Sequence, residues 1–308
     1  MRWSANGERR SARGGGGWPV RRRVLHLGRL FGWLLGGGVL LAASTVAADD
    51  TPRWQAAASL QLGYPGGYVQ VGENQYPGDR LTFHHDLGVD VLEILNLDVG
   101  YHLTPRDSFH AELQMFFLDG STTLPTDVFF NGAKLQAGTT LNTATNFPDF
   151  FRATATYERQ LLTIRDRATL SASAGLTFVY LNFVIHGTLA PDTPGHETKE
   201  DFQTQELPIP LLGLRFDDPL TGRLGFFATL DGGYLPWVNS LRTEGGTVNL
   251  TQSQADATAG LSYTLSPSFS LEAACAYTYI FQHEKSHEDD NLFNLSSVGL
   301  LLGATYRF

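Results

Sequence analysis

From residue 49 onward the chain alternates. Trp54, Ala56, Ala58, Leu60, Leu62 and Tyr64 are separated by Gln55, Ala57, Ser59, Gln61 and Gly63. A period of two marks an extended strand with one apolar face. The pattern returns along the chain. Val91, Leu95, Leu97, Val99, Tyr101 and Leu103 oppose Asp90, Asn96, Asp98, Gly100 and His102, with Glu93 interrupting the apolar face. Phe109, Ala111, Leu113, Met115 and Phe117 oppose His110, Glu112, Gln114 and Phe116. Phe151, Ala153, Ala155, Tyr157 and Leu161 oppose Arg152, Thr154, Thr156, Glu158 and Gln160. Leu170, Ala172, Ala174, Leu176, Phe178 and Tyr180 oppose Thr169, Ser171, Ser173, Gly175 and Thr177. A sixth segment, 207–216, contains Pro208 and Pro210. Proline cannot donate to a ladder, so a break or bulge is expected near its start. Further alternating runs begin at Leu224, Ala255, Phe269 and Leu300, which brings the count to ten strands.

The connectors fall into two sets. Residues 104–107, 165–167, 217–223 and 266–268 read as tight turns, rich in Pro, Asp and Ser. Residues 65–88, 119–147, 186–205, 236–251 and 282–294 read as longer polar loops, and 128–141 could prolong its hairpin. Long and short connectors alternate, so all short turns lie at one end. Trp54, Tyr101, Phe109, Tyr263, Phe269, Tyr306 and Phe308 gather there, as an interfacial girdle requires. The opposite faces are rich in Gly, Ser and Thr, which suits a crowded lumen better than the open face of a secreted β-sandwich. An even strand count with asymmetric connectors predicts an all-β, transmembrane, antiparallel up-and-down barrel of ten strands.

Residues 1–48 have a different character. Arg21, Arg22, Arg23 and Arg29 precede and enter an apolar run, and Val46-Ala47-Ala48 ends it with small residues. This reads as a signal peptide over 1–48, followed by one barrel domain over 49–308. Gly14 to Gly17 is an unusual start, and translation is expected to begin downstream of Met1. The first 48 residues hold eight Arg and one Glu, which leaves 14 basic and 30 acidic residues, a net charge of −16 with His neutral. So acidic a product excludes nucleic acid as a partner. One cysteine, Cys275, excludes an intramolecular disulfide. No later apolar run reaches the length of a spanning helix, and a closed barrel is the other structure that crosses a bilayer with its backbone satisfied.

The last nine residues, 300–308, end on an aromatic, carry a second aromatic two places earlier and a glycine three places before that. Gly303, Tyr306 and Phe308 thereby resemble the C-terminal signature of bacterial outer-membrane β-barrel proteins, although Leu302 stands where a polar residue is usual. The resemblance implies a Gram-negative-type outer membrane, both termini in the periplasm, and outer-membrane lipid, lipopolysaccharide and the barrel-assembly machinery as partners. It identifies an architecture and no activity, and the oligomeric state is left open.

Candidate chemistry is sparse. His283-Glu284-Lys285-Ser286-His287 matches the H-E-x-x-H string of zinc metallopeptidases, which needs a helix and a third ligand. Here it falls in a short predicted loop, so His283 and His287 are carried only as candidate ligands for a divalent cation at the outer loops. No other cofactor is expected. On the inward face lie His102, His110, Glu112, Arg152, Glu158, Asp231, Asp256, Glu272 and Arg307. Buried charge requires partners, so a salt-bridged, largely plugged lumen is expected ahead of an acid-biased narrow pore. Ten-stranded barrels also include the omptin proteases. His84, His85, Asp86, Asp90 and Asp231 are candidates for such a rim site, and Ser286-His287 for a lipid-modifying one. The expectation is a structural or ligand- or partner-binding barrel, with a pore and then a rim hydrolase as alternatives.

Overall fold

The computed structural model describes residues 53–73, 76–145, 147–187, 199–200, 207–243 and 247–308. The signal peptide expected over 1–48 lies outside the described residues. Ten long strands carry the chain around one cylinder. They are β1 Trp54–Glu73, β2 Val89–Thr104, β3 Asp107–Thr123, β4 Phe150–Ile164, β5 Ala168–Leu181, β6 Ile209–Pro219, β7 Leu224–Thr243, β8 Thr247–Ser266, β9 Phe269–Lys285 and β10 Asp289–Arg307. Each pairs antiparallel with the next, and β1 closes the barrel on β10 from Gln55↔Arg307 to Glu73↔Asp289. Backbone bonds between Trp54 and Phe308, 3.0 and 2.9 Å, complete the seam at the short-turn end.

The alternation sets the wall. Leu212, Val298, Leu300 and Leu302 are at least 60 % exposed and form part of an outward apolar band. On β10 their inward neighbours Phe293, Leu295 and Ser297 are at most 1 % exposed. Such an exterior is unfavourable in water and suits hydrocarbon. Aromatic pairs mark its lower edge: Trp54 with Tyr101 at 4.7 Å, Phe109 with Tyr157 at 5.3 Å, and Tyr306 with Phe308 at 5.8 Å. Tyr64 lies ten residues above Trp54 on β1, roughly 25 Å along the axis of a tilted strand. That matches the height of a bilayer-spanning apolar band.

The strands run further than the sequence suggests. β1 continues through Pro65, Gly66 and Gly67 to Glu73, where a loop was expected from residue 65. The expected loops at 236–251 and 282–294 are also strand: β7 reaches Thr243, β8 starts at Thr247, and only 286–288 separate β9 from β10. Cross-strand pairing satisfies their backbone groups, so polar composition does not prevent a ladder. Most of the loop expected over 186–205 lies outside the described residues. β6 starts at Ile209, with Pro210 facing outward beside Leu176 of β5. On β2, Val89 pairs with Gly120 but Leu92 with Leu118, a bulge that turns Asp90 outward instead of into the lumen.

Between β3 and β4, Thr140–Thr145 prolongs the wall by pairing with the end of β3, and Phe183–His186 pairs with it in turn. Val128–Phe130 and Ala133–Leu135 do not prolong it. They form a separate hairpin, turned by Asn131 and Gly132 at φ 50° and 67°. This hairpin folds back onto the barrel: the Asn131 amide donates to the Val71 carbonyl, and Phe129 and Asp79 exchange two bonds of 2.8 Å.

Candidate functional site: a polar lumen beneath an aromatic plug

The barrel interior changes character along its length. In the outer half most inward positions on five strands are apolar: Val69 and Val71 on β1, Leu92 and Ile94 on β2, Phe116 and Leu118 on β3, Val179 and Leu181 on β5, Phe293 and Leu295 on β10. Six phenylalanines join into one cluster. Phe116 stacks on Phe150 at 4.3 Å, and Phe150 meets Phe293 edge-on at 5.6 Å. Phe83, from the connector after β1, lies 5.5 Å from Phe293 and 6.2 Å from Phe183. Phe130, from the hairpin, closes on Phe183 at 6.3 Å. All six are fully buried. Beside them runs a buried polar strip, Gln252, Gln282, Glu284 and Asn291.

Below the rings Arg152 crosses the lumen. From β4 it makes a 2.7 Å ion pair with Asp256 of β8. Its Nε donates to Gln114 Oε1 at 2.6 Å and its Nη1 to Gln254 Oε1 at 3.2 Å. Gln114 in turn donates to Glu112 at 2.8 Å. Five side chains from three strands thus tie opposite walls together. Arg152 is only 4 % exposed, so these partners replace the water it gives up.

Beneath this layer lies a cavity of about 280 Å³. Eight of the nine expected inward residues line it: His110, Glu112, Arg152, Glu158, Asp231, Asp256, Glu272 and Arg307. His102 sits at the short-turn end, near His110, Arg307 and Glu158, outside that lining. His110 Nδ1 lies 3.3 Å from Asp98, and Glu272 accepts from Thr305 at 3.2 Å. Asp231 accepts from Ser173, and it reaches its place because residue 213 is glycine: a Cβ there would lie 1.9 Å from Asp231 Oδ1. Sequence reasoning omitted several residues from the network: Asp98, Arg215, and the amides Gln61, Asn96, Gln114 and Gln254. Alternation already put Asp98 and the amides inward. Arg215 sits in the strand that proline obscured, paired with Asp217 at 2.7 Å. The cavity is lined by six carboxyl groups and three arginines, so acidic groups outnumber basic ones in its wall.

The other candidate residues do not gather. His283 lies on β9, not in a loop or on a helix, and bonds Asp290 at 2.8 Å; His287 occupies the exposed turn. Among the described residues no group of three His, Cys, Asp or Glu is arranged to hold a metal ion. Ser286 Oγ accepts the amides of Glu288 and Asp289, so it shapes the turn beside His287. His84 packs at a tilt against Tyr64 and edge-on against His85, and Asp86 accepts two bonds from Thr82, while Asp231 lies down in the lumen and Asp90 faces outward. Gly303, Tyr306 and Phe308 lie at the seam between β9, β10 and β1.

No protein-family model matches the sequence, and no curated protein matches it. The fold is similar to solved outer-membrane barrels. The outer membrane protease OmpT from Escherichia coli aligns at 14 % identity over 86 % of this chain and 100 % of its own, with a TM-score of 0.47. The translocator domain of the autotransporter NalP from Neisseria meningitidis aligns at 14 % identity over 92 % and 95 %, with a TM-score of 0.38. The outer membrane protein OprG from Pseudomonas aeruginosa aligns at 10 % identity over 86 % and 99 %, with a TM-score of 0.35. The likeness is one of architecture, and no residue role is carried across.

Proposed function

We propose that this protein is a closed outer-membrane barrel that serves as a structural or ligand- or partner-binding element and passes no solute. The observation that carries the reading is the six-ring cluster above the Arg152 layer. Hydrated ions crossing this barrel would have to part packed aromatic rings and then a buried ion pair. Both termini of the barrel and the turns that precede β3, β5, β7 and β9 sit at one end, and in this reading that end faces the periplasm. The polar cavity then lies below the plug, on the periplasmic side. The outer loops and the extended β7–β10 wall face outward, toward lipopolysaccharide or an external partner.

Planar-bilayer conductance of the purified folded protein tests the proposal. The expected record shows no steady openings, with or without EDTA. Reproducible ohmic steps that respond to Arg152→Ala would overturn it in favour of a narrow pore.

A further inference from the structure

The polar cavity is more than the space left below a plug. Two of its lining side chains are buried with hydrogen-bonding atoms that meet no protein partner. Gln61 is 3 % exposed and its Nε2 is unpaired; Asn96 is 9 % exposed and its Oδ1 is unpaired. Asp256 adds a third: Oδ2 holds Arg152, but Oδ1 is buried without a partner. Buried polar groups are nearly always satisfied, so an unpaired set lining one cavity asks for an occupant.

We infer that this cavity binds a small primary-amine cation that enters from the short-turn end. The charge argues for a cation. Of the three arginines set against six carboxylates, Arg152 is committed to Asp256 and Arg215 to Asp217, which is not among the lining residues. The donor geometry argues for ammonium over guanidinium. The acceptors come singly from three strands, Asn96 Oδ1 from β2, the Glu112 carboxylate from β3 and Asp256 Oδ1 from β8, instead of as one paired edge. Three diverging N–H donors fit such a set better than a planar fork. A bare divalent metal is disfavoured because no three ligating side chains converge. Gln61 Nε2 offers one donor to a hydroxyl or carbonyl on the same ligand. The volume, just below the usual range for ligand sites, limits that ligand to a small molecule. Exposure gives the direction of entry: Arg307 is exposed at the short-turn end, while Gln61, Arg152 and Gln254 at the other end of the cavity are buried.

The inference rests on the closed-lumen reading, and the experiment separates the two. Butane-1,4-diamine is titrated into the folded full chain in detergent micelles by calorimetry, with butane-1,4-diol and Mg²⁺ as controls. Conductance is measured on the same preparation. Saturable binding of the diamine alone is expected. Glu112→Gln and Asn96→Leu, which removes the unpaired Oδ1 acceptor, each checked for native β circular dichroism, should weaken it, the first by about tenfold. Asp231→Asn serves as a second charge variant should Glu112→Gln not fold. No saturable binding, equal binding of the diol or Mg²⁺, or unchanged affinity in the folded variants would overturn the inference. A conducting barrel would overturn the closed-lumen reading whatever the calorimetry gives.

Discussion

Arg152 and Asp256 meet across the barrel at 2.7 Å, one from β4 and the other from β8. They are far apart in sequence and not on neighbouring strands, so their pair ties opposite walls. Arg152→Ala leaves Asp256 and Glu112 beside each other without their cation. Breaking a buried pair from one side costs about 3–5 kcal/mol. Urea unfolding of the barrel in lipid vesicles, followed by tryptophan fluorescence, should show a loss of that size. Double replacement by Met and Leu should recover much of it, since both charges then go.

The plug makes a second prediction. Phe150 lies between Phe116 and Phe293 and is fully buried. Phe150→Ala should cost about 3–5 kcal/mol in the same unfolding experiment. Leu300→Ala, on the lipid face, should cost less, because its side chain leaves no internal cavity.

Strand phase can be read by labelling. Glu112 lines the cavity and Leu113 faces the other way. The native Cys275 is exposed and would react itself, so the work needs a Cys275→Ala background. In that background a lipid-confined maleimide should label Leu113→Cys and spare Glu112→Cys. Equal labelling would overturn the assigned faces.

The mouth hairpin depends on its turn. Gly132 has φ 67°, and a Cβ there would lie 2.9 Å from Glu73 Oε2. Gly132→Val should destabilise the turn by about 1–2 kcal/mol, since β-branched residues avoid this region. Limited proteolysis of intact vesicles should then cut near residue 132 faster, while the barrel's unfolding midpoint stays nearly unchanged.

Much of this barrel was legible in the sequence because a strand in a closed wall has only two faces. A period of two separates Leu113 from Glu112 and Leu300 from Leu301 whatever the tertiary context, and it gave the ten strands and most of the lumen charges. It failed where a local irregularity overrides the period. The bulge at Asp90 and Val91 turns one carboxylate outward, and the prolines of β6 hid Arg215. Strand ends failed for another reason. The segments at 236–251 and 282–294 are polar, and their pairing is decided by a partner strand, not by their own composition.

The plug and the cavity belong to the tertiary structure. Phe116 and Phe117 are both apolar, as are Ile94 and Leu95, so alternation gives no sign that the outer half of the lumen is dry. Phe83, Phe130 and Phe183 come from connectors without strand periodicity of their own, and only the folded connectors bring them onto Phe150 and Phe293. The sequence by itself determined which side of each strand meets lipid, because that follows from backbone geometry. Which inward side chains touch was decided by the relative register of ten strands and the return of three connectors, since contacts across a lumen join residues that no local pattern relates.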